Sequence, residues 1–194
     1  MENEINKIKT FSDLLKFNIK FLQGDIPSSF THLGKPNEET NFILSDLLSL
    51  NKSGIYTTQS QPFIYNNMYK QIPYVNAIIE KKRFVLSTFI QMCENNNLLY
   101  EVLVNNKIYS NIIYDDNKLA IVLTRKRLEK RFVEYTFHNK PYNCDDFDFT
   151  IESHKERGCH LIKKKQMLCL FLTTKTFENI NIFKLLCNYV QSIV

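Results

Sequence analysis

The residues best suited to chemistry stand close together between positions 31 and 61. Thr57, Thr58, Ser60 and Gln61 belong to a run, TTQSQ, that stops at Pro62. Three hydroxyls and an amide at a strand end can hydrogen-bond a ligand's phosphate, amide or base edge. Strand alternation would turn Thr57 away from Thr58, so the expectation is that not all of them face one pocket. The same residues would equally serve a turn held by side-chain-to-backbone hydrogen bonds. Just upstream, THLGKPNEET carries His32 in a loop and Glu39 at a helix start. If that loop packs on the strand end, the helix N-terminus offers free N–H groups to an anion. His32 would then be placed to carry a proton. The plainer reading of the pair is an exposed histidine and a capping carboxylate.

Two other groups of residues compete with this one. Cys144, Asp145, Asp146, Asp148, His154, Cys159 and His160 are all metal-ligand types. Their spacing has no CxxC, HxxxH or HExxH, so no metal is expected. Cys159 and His160 are adjacent and on a strand would point to opposite faces, which disfavours a nucleophile pair. The segment RKRLEKR, with Arg125, Lys126, Arg127, Lys130 and Arg131, carries +4 of the chain's net +5. Together with Lys81–Arg83 and Lys163–Lys165 it could track a nucleic-acid backbone, with Tyr135, Phe137 and Tyr142 for stacking. Against that, charged strand ends facing water would look the same, and the rest of the chain is near neutral. Walker A, GxGxxG, GxSxG and kinase signatures are absent.

The elements that must position these residues follow from periodicity. TFSDLLKFNIKFLQG predicts a helix, with Thr10 or Ser12 as cap and Gly24 as stop. NEETNFILSDLLSLNKSG predicts a second helix, capped by Asn37 and ended at Gly54. GIYTTQSQP and PYVNAIIEK read as strands with the polar loop YNNMYKQ between them. RFVLSTFIQMCENN is helical. LLYEVLVNN, YSNIIYDD, LAIVLTRK, KRFVEYTFHN, DFDFTIES and CHLIKKKQMLCLFLTT supply strands, and FENINIFKLLCNYVQSIV closes with a helix. Helices at both ends of the chain and strands between them predict an α+β fold. Its expected form is one mixed, mainly antiparallel sheet in a single domain, 1–194, with any seam near 105–118.

Composition bounds the class. With 194 residues, 44% hydrophobic and 23% charged, the chain is expected to be globular. No run approaches the length of a membrane span, and no leader peptide is visible. Five cysteines without paired spacing point to reduced thiols in the cytoplasm, and Cys169 and Cys187, in apolar runs, are expected in the core. Abundant Asn, Lys and Ile follow AT-rich codons, as in a large DNA virus, a parasite or a low-GC bacterium.

The phrases FLQG (Phe21–Gly24), THLGKPNEET (Thr31–Thr40) and LNKSGIYTTQSQP (Leu50–Pro62) occur in an order that resembles a little-characterised family. That family is found in actinobacteria, phages and large DNA viruses and carries "LN..G..TT.SQP". IPYVNAIIE falls where the family has a Tyr- or Val-containing strand. The resemblance covers about the first 80 residues and departs at Phe63, where the family commonly has glycine. It implies a shared domain and a site around TTQSQ, without a reaction, and it favours a viral origin.

The residues thus lead to a binding or interaction module whose polar site is formed by THLGKP and TTQSQ. Its ligand is a protein, host partner or small molecule left unidentified, and no cofactor is assigned. Two alternatives stay open. One is an enzyme acting on a nucleotide or other phosphate-bearing substrate, with His32 as proton carrier. The other is a nucleic-acid binder using residues 125–131.

Overall fold

A computed structural model describes residues 5–65, 69–105, 107–112, 114–115, 118–119, 122–128, 131–136, 152, 154–155, 160–161, 166–174 and 179–193. The first helix, α1 (Phe11–Gln23), begins where the sequence places it. Thr10 Oγ1 accepts from the Asp13 N–H at 3.1 Å, and the Asp13 carboxylate accepts from the Thr10 N–H at 3.0 Å. This reciprocal pair satisfies two donors that the helix start would otherwise leave open. The Thr10 hydroxyl also donates to the Asp13 carboxylate at 2.8 Å, and this bond, followed by that from the Lys9 N–H, holds the carboxyl below its usual range. Gly24, at φ 83, ends the helix in a left-handed conformation.

The expected second helix is divided. A 3-10 turn (Glu38–Phe42) gives way at Ile43 to α2 (Leu44–Lys52), and Asn37 makes no side-chain cap. Thr40 and Asn41 are poor helix formers. The break leaves Phe42 74% exposed while Ile43 enters the core at 6%. Gly54, at φ 93, then turns the chain into β1 (Ile55–Gln61). A Cβ at Gly54 would overlap the Arg83 guanidinium, which donates to the Ser53 carbonyl at 3.3 Å.

The remaining elements are β2 (Ile64–Tyr65), β3 (Tyr69–Gln71), β4 (Tyr74–Glu80), α3 (Leu86–Asn95), β5 (Leu98–Val104), β6 (Lys107–Ser110), β7 (Tyr114–Asp115), β8 (Lys118–Leu119), β9 (Val122–Leu128), β10 (Arg131–Thr136), β11 (Met167–Thr174) and α4 (Ile182–Ile193). The main sheet has the order β1-β4-β11-β5-β6 and is antiparallel throughout. With helices at both ends of the chain, the fold is α+β. A second sheet, β10-β9-β3-β2, and the ribbon β7-β8 accompany it. The stretch expected as the loop YNNMYKQ thus contributes a strand, β3, held between β2 and β9. Its partner β9 lies more than 50 residues on, which a local polar pattern cannot reveal. YSNIIYDD is shared between β6 and β7, and DFDFTIES lies almost wholly outside the described residues.

Alternation along the central strands gives the main sheet two apolar faces. Ile55, Val75, Ala77, Ile79, Leu170 and Val102 pack with α2, α3 and α4. Tyr56, Ile78, Leu103 and Met167 pack on the other side with Phe11, Leu14, Leu15, Phe17 and Phe30. Helix α1 contributes to both clusters, because Phe21 and Leu22 join the first. It therefore straddles the β1 edge of the sheet.

Tyr189 of α4 ties the C-terminal helix to the start of α3. Its hydroxyl donates to the Val85 carbonyl at 3.0 Å and accepts from the Val85 N–H at 2.9 Å. Burial pushes the phenol up to about 12, with the Val85 contact opposing. Burial likewise pushes the Cys93 thiol up to about 12, so Cys93 is an inert core residue. Cys187 is buried as expected, whereas Cys169 is only half-buried, against the α1 side of the sheet.

Candidate functional site

Where α1 crosses the edge strand β1, a cleft of about 240 Å³ opens. Asn18, Phe21 and Leu22 of α1 form one wall, and Thr57, Thr58, Gln59 and Ser60 of β1 form another. Ser29, Thr31, His32 and Pro36 close it from the loop, with Asn37, Thr40, Leu47 and Tyr74 completing the lining.

Four consecutive strand residues can share one cleft because β1 is bulged. Thr57 pairs with Ala77 and Gln59 with Asn76, so Thr58 is an extra residue without a partner of its own. Its hydroxyl donates to the Asn76 carbonyl at 3.2 Å. A bulge interrupts the alternation and re-aims the side chains around it. Thr57 and Thr58 both line the cleft, with their hydroxyls on different partners, and Gln61 stays outside it.

Beneath the bulge lies a buried polar network. Asn18, 3% exposed, donates through Nδ2 to the Thr57 carbonyl at 3.3 Å and to Asn51 Oδ1 at 3.0 Å. Asn51, 1% exposed, donates to the Leu47 carbonyl at 2.8 Å and to Thr57 Oγ1 at 3.0 Å. Burying these amides unpaired would be costly, so the network fixes how α1, α2 and β1 meet.

The loop is braced from within. Ser29 Oγ accepts from the His32 N–H at 3.0 Å and the Thr31 N–H at 3.3 Å. The Ser29 N–H donates to the His32 carbonyl at 2.9 Å. His32 is half-buried, its ring 5.7 Å from that of Phe21. Its Nε2 lies 3.1 Å from the Lys35 carbonyl. A carbonyl can only accept, so Nε2 carries the proton, and in the neutral form of the ring Nδ1 is the bare nitrogen.

Of the residues singled out from sequence, His32, Thr57, Thr58 and Ser60 line the cleft. Gln61 instead donates to the Ile72 carbonyl at 2.9 Å. Glu39 is exposed and accepts from Gln71 Nε2 at 3.4 Å. The start of the 3-10 turn carries Glu38 and Glu39 in its first turn, which opposes an anion there. Residues 125–128 and 131 lie on the paired strands β9 and β10, where Arg125 is in register with Glu134 and with Lys70 of β3. Lys130 lies outside the described residues, as do Cys144, Asp145, Asp146, Asp148 and Cys159. His154 is fully buried, with Nε2 3.1 Å from the Tyr56 hydroxyl and its ring stacked 4.7 Å from Phe30. His160 is exposed. Among the described residues no three His, Cys, Asp or Glu gather as a metal site would require.

Sequence reasoning missed Asn18, Asn51, Ser29 and Tyr74. A signal for the asparagines existed. Asn18 stands four residues after Leu14 and three before Phe21, on the apolar stripe, and Asn51 follows Leu47 by four. A polar residue inside an apolar stripe is either paired or functional.

Among the described residues no helix is long and apolar enough to cross a membrane. Residues 2–110 match the model of a domain of unknown function, DUF6919. The match spans α1, the cleft loop and β1 and runs on through β6. No curated protein matches the chain.

Proposed function

We propose, for a chain that belongs to the DUF6919 family, that the cleft beside β1 binds a small, uncharged, polar ligand. The observation carrying this is the bulge at Thr58, where four successive polar residues of β1 line one wall of the cleft opposite Asn18. Bulges that re-aim side chains are over-represented beside functional sites. Among the described residues the polar lining holds hydroxyls, amides and one imidazole, but no lysine, arginine or carboxylate. A phosphate-bearing ligand would want a cation there, so the lining favours a neutral one. The volume of about 240 Å³ lies just below the usual range of roughly 300–1,000 Å³ and suits a very small molecule.

An enzymatic reading has its own support in His32. With Nε2–H held by the Lys35 carbonyl, Nδ1 is free to take a proton from a bound hydroxyl or amide. The unpaired cysteine spacing and codon-linked composition support a cytoplasmic protein of an AT-rich, viral genome, folded as one domain.

Thermal shift against a panel of neutral and phosphorylated small molecules tests the binding. A ligand at a hundred times its Kd adds about 2.7 kcal/mol. The Ser60 side chain makes no hydrogen bond among the described residues, so Ser60→Ala should leave the unliganded melting temperature unchanged while abolishing the shift. A shift that persists in Ser60→Ala, or one given only by phosphates, would refute the proposal.

A further inference from the structure

Resting on the cleft reading, we infer that its ligand is recognised through an amide edge: an N–H and a C=O side by side, as in a primary carboxamide or a lactam-type base. The argument is one of donors and acceptors. The Thr57 carbonyl and Asn51 Oδ1 can only accept, which fixes the Asn18 NH₂ toward them. Asn18 Oδ1 then receives no hydrogen bond among the described residues, although the side chain is 3% exposed and lines the cleft. A buried acceptor left open in this way calls for a donor from outside the chain.

Thr57 supplies the opposite half. Its Oγ1 accepts from Asn51 Nδ2 at 3.0 Å and, more weakly, from Asn18 Nδ2 at 3.5 Å. The Asn51 bond engages one lone pair, the 3.5 Å contact shares an Asn18 hydrogen already given to the Thr57 carbonyl or Asn51, and the hydroxyl proton meets no acceptor among the described residues. The cleft thus presents an acceptor, Asn18 Oδ1, beside a donor, Thr57 O–H. The two belong to neighbouring side chains, 7% exposed or less. An amide edge matches this order with two bonds. A sugar hydroxyl matches one of them at a time, and a phosphate matches only the donor. Ser60 and the bare His32 Nδ1 extend the polar surface for the rest of the ligand.

The full chain would be titrated with nicotinamide and uracil, each beside its N-methylated analogue, N,N-dimethylnicotinamide and 1,3-dimethyluracil. Glucose and inorganic phosphate would be run in parallel. The assignment expects the parent amide to bind at least tenfold more tightly than its methylated form, because methylation removes the N–H that meets Asn18. This comparison needs no variant and so does not depend on one folding. Thr57→Ser should retain binding and Thr57→Val should lose it. Equal binding of parent and methylated probes would overturn the assignment. Glucose binding that Ser60→Ala abolishes, with no response to amides, would also overturn it while leaving the cleft's role intact. Silence from every neutral probe would overturn both.

Discussion

Tyr189 shows how one side chain can serve two backbone groups at once. Its hydroxyl answers both the N–H and the C=O of Val85, the residue that begins α3 without a side-chain cap of its own. Tyr189→Phe keeps the ring contacts with Phe84 and Phe89 but removes both bonds. The variant should lose about 1 kcal/mol in urea denaturation, at the low end for a lost bond because Val85 is exposed enough for water to compensate. The pH dependence has a definite sign. The phenol is raised to about 12 in the folded chain, above an unfolded value of about 10. The contribution is therefore fully present below pH ~10 and is lost as pH rises through the folded value. The Phe variant should show a shallower alkaline loss of stability than the parent.

Helix α1 illustrates what an element's sequence fixes by itself. Thr10 and Asp13 satisfy each other's backbone donors, and Thr10→Ala should cost about 1 kcal/mol. Because Asp13 titrates below the usual carboxylate range when folded, its contribution is present above the unfolded pKa. It is lost as pH falls through the folded value. Thr10→Ala should thus flatten the acid limb of a pH–stability curve below about pH 4, read by far-UV circular dichroism. The Thr10 cap and the Gly24 stop were legible because they are local, whereas the cap expected of Asn37 does not form. The strand at Ile55–Gln61 and the apolar stripe of α4 were legible too. The division of the second helix at Ile43 was not, since it depends on Ile43 finding the core. The strand at Tyr69–Gln71 was not, since it takes its identity from β9. The candidate site was legible in part: His32, Thr57, Thr58 and Ser60 came from residue type alone. Asn18 and Asn51 were hidden by helical context, and the Thr58 bulge by the assumption of unbroken alternation.

At the scale of the molecule, the polar cleft and the basic segment lie on different sheets. The cleft borders the β1 edge of the five-stranded sheet, whereas Arg125, Lys126 and Arg127 sit on β9 of the other. The two functions proposed for them should therefore separate. If residues 125–131 bind nucleic acid, replacing Arg125, Lys126 and Arg127 by glutamine should weaken binding and flatten the salt dependence by nearly three log units per log unit of salt. Small-molecule shifts at the cleft should be untouched. A salt slope unchanged by the triple variant, measured by fluorescence anisotropy on single- and double-stranded oligonucleotides, would dismiss that role. The bulge in β1 has one more consequence. Flat, regular edge strands are templates on which a second chain can add its own strand, the route to aggregation. By adding Thr58 to the outermost strand, the chain spoils that template at the same place where it opens a cleft. Deleting Thr58 would restore regular pairing and shift Thr57 or Ser60 out of the cleft wall. Such a variant should bind the fluorescent amyloid dye thioflavin T and scatter light on concentration, under conditions where the parent chain stays clear.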